Sequence, residues 1–90
     1  MLFEELKDIN DKLVYIGDKP EQFKKAVLGL SDDDNHVVYS YNRLVECFME
    51  QNDWDETEAV EWVDYNVMRG LGYMGEYAPM VVYDLEGEDE

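Results

Sequence analysis

Basic residues, prolines, cysteines and histidines are all scarce in this chain, and long apolar runs are missing. Seven Lys and Arg stand against 23 Asp and Glu, for a formal net charge of -16. A surface of that sign repels nucleic acid and anionic lipid, so neither is an expected direct partner, whereas basic proteins are attracted. Cys47 is the single cysteine and allows no disulfide within the chain, which fits a cytoplasmic protein. Together with His36, the single histidine, it rules out a multi-His or Cys-rich zinc site within one chain. No apolar stretch approaches the roughly 20 residues that a membrane span needs. The opening MLFEELKD also lacks the basic region and apolar run of a secretory signal.

What is present argues for a folded protein. Hydrophobic residues make up 46% of the chain and aromatics 13%, too apolar for intrinsic disorder despite the charge. At 90 residues the chain forms one small domain around one core. The charge is unevenly placed. Residues 1–30 carry five lysines and six acids, whereas residues 31–90 carry only Arg43 and Arg69 against 17 acids. Acidity is thus a property of the C-terminal two thirds.

Taken in order, Leu2, Leu6, Ile9 and Leu13 recur on one helical face and predict a helix from Leu2 to Leu13. Gly17 to Lys19 is a break, after which Pro20 can begin a second helix with Phe23, Val27 and Leu30 as its buried face. Ser31 to Asn35 reads as an exposed turn, and His36 to Tyr39 as a short strand. Ser40 is a good N-cap for a helix from Tyr41 to about Gln51, with Leu44, Val45, Phe48 and Met49 on its inner stripe.

The stretch from Asp53 to Leu85 organises the rest. Asp55 and Glu58 have the spacing of a capping box, and a helix should follow with Val60, Val63 and Val67 on one face and Ala59 and Asn66 beside them. Glu56, Glu58, Glu61 and Asp64 fall mostly on the opposite side. Gly70, Gly72 and Gly75 end the helix, and Pro79 leads into Met80 to Tyr83, a strand whose sole plausible partner is His36 to Tyr39. The expected fold is a small single α+β domain over residues 1–85: about four helical segments packed with a short two-stranded β-sheet. Residues 86–90 form a frayed acidic tail.

Most motif-like features have structural explanations. Gly70 to Gly75 spells GxGxxG, but follows a helix instead of a strand, so it reads as a helix stop and turn. Asp32 to Asn35 and Asp53 to Thr57 cluster oxygen ligands, yet neither has the central glycine of a calcium loop, so no metal site is assigned. Cys47 sits mid-helix among apolar residues and reads as inert packing. No catalytic constellation or cofactor site is visible, and the expectation is a protein that is not an enzyme. Trp54, Trp62, Tyr65, Tyr73, Tyr77 and Tyr83 lie in the acidic module, where aromatics beside carboxylates suit a protein interface.

Glu58, Glu61 and Asp64 step by about 4.5 Å along a helix, near the roughly 3.4 Å phosphate spacing of one DNA strand. Glu46 and Glu50 could extend the row.

Residues 37–85 resemble a widespread group of small proteins encoded by bacteriophages and prophages. The shared pattern appears here as Tyr39 and Ser40, Glu58-Ala59, Tyr65-Asn66, Gly75-Glu76 and Pro79. In size and charge the chain is similar to anti-CRISPR and other anti-defence inhibitors. That likeness implies a noncatalytic inhibitor whose carboxylates replace phosphates in a basic groove, such as that of a Cas effector. The interface expected on this reading is Asp53, Asp55, Glu56, Glu58, Glu61, Asp64 and Glu76, with Trp54 as anchor. The alternative is a non-enzymatic phage protein-interaction module, able to form a homodimer, whose acidity serves only solubility.

Overall fold

The computed structural model describes residues 2–83, which form an α+β domain. Helix α1 (Leu2–Ile9) is followed by an irregular segment, a 3-10 helix (Pro20–Ala26) and strand β1 (Val27–Leu30). Strand β2 (Val37–Ser40) leads into α2 (Tyr41–Asn52) and α3 (Glu56–Trp62), and α3 continues as a wide π-helical segment (Val63–Met68). A short 3-10 turn (Leu71–Tyr73) and strand β3 (Met80–Val82) complete the described chain. The expected tail at residues 86–90 lies outside the described residues.

Among the described residues the sheet has three strands, not two, in the order β1-β2-β3. His36–Tyr39 does meet the Met80 strand, in parallel, with Val38 opposite Met80 and Tyr39 opposite Val81. Its other edge pairs antiparallel with β1, Val27 opposite Tyr39 and Leu30 opposite Val37, through a register shift between Val27 and Gly29. The second helix therefore stops at Ala26, and Val27 and Leu30 belong to a strand. The exposed turn joining β1 to β2 makes this hairpin. Ser31 Oγ donates to Asp33 Oδ1 (2.6 Å), Asn35 N–H donates to the same oxygen (3.1 Å), and His36 N–H donates to Ser31 Oγ (3.1 Å). The Ser31 hydroxyl, first, and the Asn35 N–H hold the Asp33 carboxyl below its ordinary range. Asp33 thus works as a turn former.

Helix α1 ends four residues earlier than its apolar spacing predicts, and Asn10 shows why. Its amide donates to the Asp34 carbonyl (2.9 Å) and to Asn35 Oδ1 (3.1 Å), while its Oδ1 accepts from Lys12 N–H (3.0 Å). A side chain that offers the backbone another partner diverts the chain from helix. Leu13 is buried all the same, whereas Ile9 is 55% exposed. The segment beyond is held by distant groups: Val14 N–H donates to the Tyr77 carbonyl (3.2 Å) and Ile16 N–H to the Tyr39 hydroxyl (3.1 Å).

The core lies between the sheet and the helices. Val37 and Tyr39 from β2, Leu44 and Cys47 from α2, and Ala59 and Val63 from α3 are all buried. Alternation along β2 puts Val38 on the other face, beside the exposed Met80. Among the described residues no helix is long and apolar enough to cross a membrane.

Candidate interaction site

The junction between α2 and α3 is built by backbone chemistry. Asp53 closes α2 in the left-handed conformation (φ 58°), its N–H donating to the Met49 carbonyl. Asp55 then opens α3: its carboxylate accepts from Glu58 N–H (2.9 Å) and Glu58 Oε1 accepts from Asp55 N–H (3.3 Å). This is the capping box expected from the spacing. Three of the eight interface candidates, Asp53, Asp55 and Glu58, therefore also shape the chain. Glu56, in the first turn of α3, is exposed and complements the helix dipole.

Along α3 the buried stripe is Ala59, Val63 and Val67, spaced by four. A strict α-helix would carry such a stripe gradually around its axis. The wider π-helical turn from Val63 brings Val67 back beneath Val63 and keeps the stripe against the core. Val60 is half-buried, and Asn66, expected beside the oily face, is exposed with its amide donating to the Trp62 carbonyl (3.2 Å).

The opposite face carries Glu58, Glu61 and Asp64, all exposed. Two adjoining notches share Glu61: one is lined by Trp54, Glu58, Glu61 and Trp62, the next by Glu61, Asp64, Tyr65 and Arg69. The three acids thus form one continuous row flanked by aromatics. Asp64 is positioned by the Tyr41 hydroxyl, which donates to it at 2.7 Å. Burial first, and this carboxylate second, push the Tyr41 hydroxyl well above the ordinary tyrosine range.

Glu50 does not extend the row. Lys25 claims it at 2.7 Å, and this contact raises the lysine above its usual range. Glu76 stands apart as well, in the turn from Gly75 to Ala78, whose neighbour Tyr77 binds the N-terminal segment through its carbonyl and faces Lys12.

Trp54 is half-buried, and the residue that supports it is Trp62, with ring centroids 5.7 Å apart. Trp62 in turn meets Phe48 (6.5 Å), and Phe48 meets Phe23 (5.0 Å). This aromatic series runs from the core to the surface and floors a groove of about 660 Å³ that also reaches Val67 and Met74. Trp62 and Tyr65, named from sequence as interface-suited aromatics, were not among the eight residues expected as the interface, and Arg69 was not singled out at all. The available signal was a repeated spacing, two acids three apart with an aromatic next to the second: Glu58, Glu61, Trp62 and again Glu61, Asp64, Tyr65.

Cys47 is buried, and burial pushes its thiol above the ordinary range. His36 Nδ1 lies 2.7 Å from the Ala78 carbonyl and, as donor there, ties the start of β2 to the approach to β3. Among the described residues no three His, Cys, Asp or Glu side chains are grouped to hold a metal ion. Comparison with protein-family models, with curated proteins and with solved structures finds no match for this chain.

Proposed function

We propose that this protein is a noncatalytic, phage-encoded inhibitor that acts in the bacterial cytoplasm by occupying the basic nucleic-acid groove of a host defence complex, a CRISPR effector foremost. The observation that carries this reading is the outer face of α3, where Glu58, Glu61 and Asp64 form a continuous exposed row flanked by Trp54, Trp62 and Tyr65. A rigid helix presents the charges, long-range attraction speeds encounter, and the aromatics provide the desolvated contact that charge alone lacks. The test is competition with DNA for a purified Cas effector–guide complex over a salt titration. Replacing Glu58 and Glu61 by Gln and Asp64 by Asn should weaken binding about tenfold at low salt and flatten its salt dependence. Unchanged binding rules out this face.

A second reading, a self-associating module whose acidity serves only solubility, draws on exposed apolar side chains of the sheet. Leu28 (47% exposed) and Met80 (44% exposed) lie on β1 and β3, the outer strands among the described residues. Light scattering separates the readings, because the inhibitor reading requires no dimer.

A further inference from the structure

The two notches on α3 repeat one chemistry with one difference. In the second, the acids Glu61 and Asp64 border Tyr65, and the Arg69 guanidinium carbon lies 4.6 Å from the Tyr65 ring centroid. Arg69 stands four residues after its aromatic. In the first, Glu58 and Glu61 border Trp62 with Trp54 behind it, but the residue four after Trp62 is Asn66, which is neutral and turned to the Trp62 carbonyl. Among the described residues no cationic side chain pairs with Glu58 or Glu61.

We propose that the notch formed by Trp54, Glu58, Glu61 and Trp62 is a seat for an arginine side chain of the protein's basic partner, which would stack on Trp62 in the complex as Arg69 stacks on Tyr65 beside the neighbouring notch. The partner's identity rests on the inhibitor reading above; the chemistry of the seat does not. Two like charges three apart on a helix repel, and a cation between them removes that penalty. A planar guanidinium stacks on an indole while its edge donates to carboxylates, which a lysine ammonium does not reproduce. A phosphate is excluded by charge, and an apolar plug would leave both acids facing it without a cation. Trp62 is 43% exposed yet fixed by Phe48 and Trp54, so little freedom is lost when it is covered.

The test titrates the full chain with two peptides of equal length and charge, one carrying arginines and the other lysines, followed by NMR at the two tryptophan side-chain N–H groups. The arginine peptide should bind about three- to fivefold more tightly, with the largest shifts at those groups. Trp62→Leu should abolish the preference. Glu61→Gln, at an exposed position outside the core, should reduce it and keeps the test valid if the tryptophan variant misfolds. Equal affinity of the two peptides, or shifts centred elsewhere, overturns the seat. An arginine preference without any binding to a Cas effector refutes the inhibitor reading alone; effector binding without arginine preference refutes the seat alone.

Discussion

The segment from Asn10 to Ala26 and the helical pair α2–α3 achieve order by opposite means. In α2–α3 both ends of α2 and the start of α3 are specified by residues next to them: Ser40 accepts from Arg43 N–H, Asp53 takes the left-handed turn, and Asp55 and Glu58 exchange capping bonds. The earlier segment depends on distant residues, with Ile16 bound to the Tyr39 hydroxyl and Val14 to the Tyr77 carbonyl. Local specification tolerates loss one bond at a time, whereas tertiary anchoring concentrates dependence on a few positions.

The largest effect should come from Gly17→Ala. Gly17 has φ +85°, and an added Cβ would lie 2.5 Å from the Phe23 ring, so backbone strain and overpacking act together. A loss of about 2–4 kcal/mol in denaturant unfolding is expected. Tyr39→Phe should follow at about 1–3 kcal/mol, because the buried Ile16 N–H loses its acceptor without any change in packing volume. Alkali attacks the same anchor. Burial pushes the Tyr39 hydroxyl up to about 12, outweighing the Ile16 N–H that pulls it down. A folded-state value above the unfolded one contributes stability that is complete below about pH 10 and is lost as pH rises toward 12. Circular dichroism across that window, with tyrosinate absorbance recorded alongside, checks both sign and position.

On the other side of the comparison, Asp55→Ala should cost only about 1 kcal/mol, since a single cap is removed. The smallest effect belongs to Glu61→Gln, exposed and outside the capping box, which should leave stability within about 0.5 kcal/mol. A large destabilisation there would show that the outer row of α3 holds the fold together instead of serving recognition.

The same division explains what could be read from sequence. Ser40, Asp55 with Glu58, and Pro20 are local signals, and the starts of α2, α3 and the 3-10 helix lie where those residues put them. Strand β1 was hidden because Phe23, Val27 and Leu30 also fit a helical face, and only pairing with β2 decides otherwise. The end of α1 was hidden because Asn10 finds its partners in the turn before β2. On α3, the exposed acids were legible from their spacing. The stacking of Trp62 on Phe48 and Trp54, and the capture of Glu50 by Lys25, depend on how helices meet in space.

Strand β3 lies parallel to β2, with Tyr39 opposite Val81, so the whole α2–α3 pair is the crossover between two adjacent strands. Such a pairing closes a long loop and is slow to form compared with the β1–β2 hairpin. The Met80–Val82 pairing is accordingly the contact of the sheet that spans the most chain, and it holds the far end of the α2–α3 crossover against β2.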